Sequence, residues 1–512
     1  MKKIIIIGAS MGGLATGIYG QRNGFDTAIF EAHHLPGGQC TGWNRQGYTF
    51  DGCIHYFGGS GGSQTKFDKF WQEVGAFPCE MAAINEVISA VAPDGTYFHD
   101  YYDLEKLESH LNQLSPEDAA VIDDYIDDIK RFIKGSNSFD TMLVGSFGEK
   151  LSASLQFLGL VKYFKCTLTR FATRFKHPLL RKAIPLLHYS APNIPLFLHL
   201  VKHSDAAKGG SAWPKGGSLT LAKNMADHYA QLGGTIHYRK RVVKILTENN
   251  QACGVELEDG TQHKADFIVS NADGRKTIMQ MLGSRYMDEK ISKYCEPNPD
   301  TDVALALMVF LGVKRDLSSY PSALIMFLEK DEVIAGHTCD HLNMQIYGYD
   351  PSMAPAGKGV VKVELFTRPS YFSGLYRDKA AYRAEKNKIA EQVITLLEKQ
   401  FPGLREDIEV IDVVTLETWE RFMGGTQGYN NCPNKEFNIL SDMFGSGKRY
   451  TLPGLKNFFF AGQWVTSAGA LIMNALSGKT VIQKICRQCG RRFKKSNEPA
   501  FQAKNQEGIN AK

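Results

Sequence analysis

The chain has 512 residues, of which 43% are hydrophobic, 22% charged and 11% aromatic, a composition that excludes collagen-like, coiled-coil and largely disordered architectures. A net charge of +5 is too small at this length to argue for a nucleic-acid partner. Ten cysteines without a repeating spacing argue against a secreted disulfide scaffold and for a reducing, cytoplasmic setting.

Residues 3–31 read as strand, glycine turn, helix, strand. The basic start and the run Ile4 to Ile7 imitate an export signal, but the run stops at Gly8, so a strand is predicted. Ser115-Pro116-Glu117-Asp118 supplies the N-terminal signals of a helix whose apolar positions, from Val121 to Ile133, recur at helical spacing. Over 151–204 apolar residues mix with eight cations (Lys162, Lys165, Arg170, Arg174, Lys176, Arg181, Lys182, Lys202) and no Asp or Glu. After the punctuation Trp213-Pro214-Lys215-Gly216-Gly217-Ser218, a helix over 219–232 and strands at 236–238, 242–247, 252–257 and 267–271 resume the α/β pattern. Runs at 303–313, 341–347 and 360–366 predict strands of another sheet, followed by a helix over 378–400. A buried strand at 458–460 and a helix over 470–486 close the folded part, and 487–512 is polar and basic enough to predict a frayed tail. No uncharged apolar run reaches the ~18 residues of a membrane-spanning helix; attachment to a membrane surface stays open.

The turn Gly8-x-Ser10-x-x-Gly13, with Gly12 inside it, follows a strand and opens a helix. A pyrophosphate needs close backbone approach and several N–H donors, which such a turn supplies. Glu31 ends the next strand about 20 residues on, where a ribose hydroxyl is held. Its charge disfavours a 2′-phosphate, leaving FAD or NAD. A second glycine turn, Pro36-Gly37-Gly38, lets backbone approach an extended dinucleotide again.

These blocks, continued by Gly47-Tyr48-Thr49-Phe50-Asp51, by Val242 to Ile245 with Ser270-Asn271-Ala272-Asp273, and by Phe460-Ala461-Gly462-Gln463 through Ala475-Leu476-Ser477-Gly478, resemble the flavin-dependent amine-oxidase and phytoene-desaturase superfamily. Asp51-Gly52-x-x-His55-Tyr56 and Thr415-x-x-Thr418-x-x-Arg421-Phe422-x-Gly424 are similar to its branch of carotenoid isomerases, retinol saturases and bacterial phytoene-desaturase relatives. Two departures stand out: Ser10 replaces the usual glycine, and Thr466 to Asn474 is poorer in glycine and proline.

The resemblance implies an α/β fold: a Rossmann-like FAD-binding domain in three pieces (1–75, 206–285 and 416–486). A helical, membrane-facing substrate cap (76–205) and a mixed α+β substrate region (286–415) interrupt it, and a tail (487–512) follows. It implies non-covalent FAD bound by Gly8, Ser10, Gly12, Gly13, Glu31, Gly37, Gly38, Val242, Gly462, Gln463, Leu471 and Ser477. The expected reaction is desaturation, saturation or isomerisation of a lipophilic polyene, with His55 and Tyr56 as candidate proton-transfer residues and no metal. Two rivals share the same blocks: an amine or porphyrinogen oxidase, and a lipid- or prenyl-binding escort protein that is not an enzyme. The basic apolar segment favours a lipid and predicts a protein peripheral on the inner face of a membrane, resting on anionic lipid. No second dinucleotide fingerprint exists, so the electron partner stays open. Cys486-x-x-Cys489 lacks a second ligand pair for zinc and is read as incidental.

Overall fold

The computed structural model describes residues 1–55, 57–58, 65–135, 141, 144–145, 148–149, 160–188, 193–207, 211–295, 304–424, 450–466 and 470–495. Its first sheet has five strands in the order Thr235–His237, Asp26–Phe30, Lys3–Ile7, Phe267–Ser270, Phe458–Phe460, all parallel. The chain therefore leaves this sheet twice and returns. Its inner strands are largely apolar because both faces are covered, whereas the edge strand Thr235–His237 is mostly exposed. On one face the helices Met11–Arg22, Ser218–Gln231 and Leu471–Gln488 pack together. On the other, Ile5 and Ile7 pack beneath the antiparallel hairpin Val242–Glu248 and Gln251–Leu257.

The second sheet has seven strands in the order Ile408–Val414, Ala304–Val313, Gly359–Thr367, His337–Ile346, Ala323–Ile334, Glu86–Val91, Tyr97–Tyr101. Period-two alternation divides its faces. Val361, Val363 and Leu365 pack with Ile389, Val393 and Leu397 of the long helix Lys379–Gln400, while Lys362 and Glu364 are buried on the opposite face.

Two expectations about secondary structure change, and one strand was not foreseen. The segment 76–205 opens with strands Met81–Ala83, Glu86–Val91 and Tyr97–Tyr101 rather than helix. Two of these extend the second sheet, and their short runs lack the length a helical period needs to show itself. The strand Ala323–Ile334 was hidden because its second half, from Glu329, is charged and largely exposed. Residues 487–495 are docked: Arg491 lies over the Phe25 ring at 4.8 Å and Lys494 N donates to Asn23 Oδ1 at 2.7 Å. Residues 496–512 lie outside the described residues.

The cap is built from Leu104–Leu114, Ala119–Gly135, Leu168–Ala172, Pro178–Ala183 and Leu196–Ala207. Phe171, Phe175, Leu179, Leu180, Leu187 and Phe197 all point into its core. They were expected on a lipid-facing surface; burial against one another claims them first. Lys202 is also inside, at 5% exposure, whereas the other seven cations of this stretch are exposed. No helix among the described residues is long and apolar enough to cross a membrane.

Candidate active site

The strand Lys3–Ile7 delivers the chain to Gly8, whose φ of +96° only glycine adopts comfortably. A side chain on Gly13 would collide with Gly8 O at 2.0 Å, and one on Gly12 would meet Asn271 Oδ1 at 2.4 Å and Gly462 N at 2.8 Å. The turn is thus compressed between its own strand and the returning pieces of chain. Ser10 caps the helix Met11–Arg22 without a side-chain bond to it, and its first turn carries no acid, so the positive helix terminus is left uncompensated. The Ser10 hydroxyl instead accepts from Asn271 Nδ2.

Glu31 ends its strand with both carboxylate oxygens in use: Oε2 accepts from Ala9 N at 2.7 Å and Oε1 from His33 N at 2.7 Å. Burial raises its pKa against the opposing pull of these bonds and of Arg241. Lys240 N donates to Glu31 O at 2.9 Å, which brings the start of the hairpin, and buried Val242, to the same edge. Gly37 N donates to Ala9 O at 2.8 Å, setting the second glycine turn against the first. Gly462 takes φ +82° and donates its N–H to Ser477 Oγ at 2.7 Å.

Ser10, Gly37, Gly38, Gln463 and Leu471 line one cavity, together with Asn271 and Asn474. Gly8, Gly12, Gly13, Glu31, Val242 and Gly462 stand behind or beside that wall rather than on it. Ser477 is 2% exposed; its hydroxyl is spent on Gly462 N and on Asn474 O at 2.5 Å, so it buttresses the turn.

His55 follows the strand Tyr48–Asp51 and lies against the second sheet: its Nε2 is 2.7 Å from Glu364 Oε2, and Glu364 Oε1 is 2.8 Å from Lys362 Nζ. Burial lowers the His55 pKa, Glu364 pulls it back up and Lys362 pushes it down again. Burial alone would lift Glu364; the charges of His55 and Lys362 outweigh it and hold the carboxyl at about 2. Tyr56 lies outside the described residues. Arg421 lies over the Phe422 ring at 5.3 Å on the surface of the helix Leu416–Met423. No group of metal-ligating side chains occurs among the described residues.

Residue reasoning missed Asn271, Lys362, Glu364 and the tie between Asp51 and Ser218. Asp51 is fully buried; Oδ1 accepts from Cys53 N at 2.9 Å and Oδ2 from Ser218 N and from Ser218 Oγ, the latter at 2.5 Å. Asp51 thereby joins the hairpin beside the cavity to the start of the helix Ser218–Gln231. The Gly216-Gly217-Ser218 punctuation was the available signal, since Gly217 at φ +88° is what lets Ser218 approach.

A parallel sheet left twice and re-entered, with two glycine turns, a strand-end carboxylate and a returning strand-turn-helix all meeting around one cavity, defines a dinucleotide-binding protein of the two-sheet flavoprotein type. The chain belongs to the flavin containing amine oxidoreductase family, whose model matches residues 11–485. It is an FAD-dependent oxidoreductase. Prolycopene isomerase of Daucus carota is 25% identical over 457 residues, covering 83% of this chain and 71% of the relative. Phytoene desaturase (lycopene-forming) of a Paracoccus species is 25% identical over 433 residues, covering 81% of this chain and 84% of the relative. The solved structure of wild-type putrescine oxidase bound to putrescine matches with a TM-score of 0.55 at 12% identity, over 95% of this chain and 99% of that one; what is shared there is the fold.

Proposed function

We propose that this chain acts on carbon-carbon bonds of a lipophilic polyene, by desaturation, saturation or cis-trans isomerisation, with FAD held across Gly8 to Gly13, Glu31, Gly37, Gly38, Val242, Gly462, Gln463 and Leu471. The observation that carries the substrate class is the pair of relatives just named, each aligned over four-fifths of this chain.

The residues present fit the cofactor. The helix terminus at Ser10, which receives no side-chain capping bond, suits a pyrophosphate. Asn271 Oδ1 is buried without a hydrogen-bond partner at the contact between Gly12 and Gly462, an acceptor that a cofactor hydroxyl or N–H would satisfy. The bound flavin supplies hydride chemistry, and the protein supplies position, charge and exclusion of water.

His55 serves as the proton acceptor or donor for the reacting carbon. Its side chain is 20% exposed whereas that of Glu364 is 2% exposed, so the imidazole is the edge of the cluster that a substrate can reach. Glu364 orients the ring and compensates the charge it gains on protonation; Lys362 keeps Glu364 ionised. Tyr56, next in sequence, is proposed to assist.

The cap is proposed to meet the polyene at an anionic membrane surface through its exposed cations, the peripheral setting of an enzyme whose substrate dissolves in lipid. Its contribution is electrostatic, because the apolar residues described there are turned inward.

Reconstituted holoprotein, incubated with acyclic all-trans and cis polyenes under oxidising and under reducing conditions, tests the reading by product analysis. A change in double-bond number or geometry is expected. Turnover of a primary amine with no polyene product would overturn it in favour of an amine oxidase, and protein that takes up prenyl lipid yet cannot be loaded with FAD would favour an escort.

A further inference from the structure

Cys40 and Cys53 play no part in the chemistry above, yet both line the same cavity. The hairpin Gly42–Arg45 with Tyr48–Asp51 pairs Gly42 opposite Asp51, and the hydrogen bond from Gly52 N to Thr41 O at 3.1 Å carries that register one residue further. Continued past the end of the ladder, this register sets Cys40 on the side of Cys53, while Thr41 N turns back to Gln39 O at 2.9 Å. A disulfide spans Cα separations of roughly 4.4–6.8 Å, the range in which facing residues of adjoining strands lie.

Neither residue is in a disulfide, and they are 1% and 7% exposed. Each is anchored: Cys40 Sγ donates to Ser218 O at 3.1 Å, and Cys53 N to Asp51 Oδ1 at 2.9 Å. The contact with Cys53, followed by burial, pushes the Cys40 pKa well up. Cys40 therefore stays a protonated thiol at neutral pH and exchanges slowly with dissolved disulfides, which sets the rate of equilibration with glutathione and not its end point. Two facing thiols on the wall of a cavity that takes a two-electron cofactor have a different outlet.

We propose that Cys40 and Cys53 are a redox-active dithiol that exchanges an electron pair with the flavin. The statement rests on that cavity being the flavin's place. In the forward direction two S–H bonds break and one S–S bond forms; the oxidised flavin takes the two electrons with one proton, and the second proton leaves to solvent. The reverse reaction reopens the disulfide. The pair gives electrons a resting place inside a chain that lacks a nicotinamide fingerprint, between the substrate and whatever partner finally supplies or removes them.

The test uses FAD-loaded full-length protein without oxygen, with differential thiol alkylation and peptide mass spectrometry reporting on Cys40 and Cys53 and the visible flavin band reporting on the cofactor. One sample starts as dithiol with oxidised flavin, the other as disulfide, set with oxidised glutathione, with flavin photoreduced. Whatever the two potentials, one of these mixtures runs downhill. The expected result is a coupled change in one sample: the flavin band and the Cys40–Cys53 linkage move together at one disulfide per flavin, and the change is lost in both Cys40→Ser and Cys53→Ser. Two outcomes overturn the proposal: no Cys40–Cys53 linkage forms in any glutathione buffer, or the linkage forms and opens while the flavin band stays fixed in both samples. The glutathione titration of protein without flavin reads the pair by itself, so a chain that fails to bind FAD shows up as a failure of the cofactor assignment and not of the thiol pairing.

Discussion

His55 Nε2 donates a hydrogen bond to Glu364 across 2.7 Å, joining residues 309 positions apart in the chain. The direction follows from charge: with its pKa held at about 2, Glu364 has no proton to give at neutral pH, so the shared hydrogen belongs to the imidazole. A base is thereby oriented by a carboxylate that is itself pinned by Lys362 at 2.8 Å.

Glu364→Gln removes the charge that raises the His55 pKa while keeping the shape. The acid limb of kcat/KM is expected to move to lower pH, because a proton then binds His55 less tightly. A fall in kcat of about tenfold to a hundredfold should accompany it. Flavin content should be unchanged. A pH-rate profile of wild type, Glu364→Gln and His55→Ala checks this; a Glu364→Gln profile that overlays wild type would reduce the pair to packing.

The fingerprint was legible because it is local: Gly8 to Gly13 and Glu31 lie within a single strand-helix-strand unit whose periods and turn residues advertise themselves. The second sheet was only half legible. Strands at 304–313 and 359–367 appear as apolar runs, but Lys362 and Glu364 look like a surface face in a period-two pattern. Nothing nearby in sequence shows that His55 and Asp51 sit over them. The cap misled for the same reason, since an aromatic, basic stretch reads alike whether its rings face lipid or each other. Cys40 and Cys53 escaped notice because their pairing is a matter of hairpin register rather than of Cys spacing.

Replacing Glu31 tests the cofactor cradle. Hydrogen bonds to charged groups contribute roughly 1.5–3 kcal/mol each, so Glu31→Arg, which also loosens the Ala9 and His33 N–H groups, is expected to weaken FAD binding about a hundredfold. Glu31→Gln, which keeps one acceptor, should lose about tenfold. Fluorescence titration of protein freed of flavin measures both; equal affinity in Glu31→Arg would move the ribose elsewhere.

Lys202 makes stability depend on pH in a defined window. Burial lowers its pKa to about 7 in the folded protein, with Asp100 opposing the shift, against about 10.4 in an unfolded chain. Between those values the unfolded state binds the extra proton, so stability rises with pH from 7 towards 10. Below pH 7 both states carry the charge and the burial penalty is at its full size. Lys202→Met is therefore expected to be more stable than wild type at pH 6, on the order of 2 kcal/mol, with the gap closing by pH 10. Thermal melts at the two pH values decide it, and a gap that does not change with pH would remove the ionisation argument.

Membrane attachment, as reframed by the inward-facing aromatic residues, should be reversible and governed by salt. Arg174 is already engaged by Asp124 at 2.6 Å, and Lys202 is buried, so neither is counted. Lys165, Arg170, Arg181 and Lys182 are exposed on the cap. Each cation near an anionic surface contributes about 1 kcal/mol, and four together would shift the partition constant by roughly a thousandfold. An inserted amphipathic helix would instead hold through its buried apolar area and tolerate salt. Sedimentation with vesicles containing a third anionic lipid is therefore expected to pull the protein down at low salt, release it at high salt, and leave the variant with all four cations changed to glutamine in the supernatant. Binding that survives high salt would restore the apolar-insertion reading, and no binding at low salt would remove the membrane from the account of how this enzyme meets its substrate.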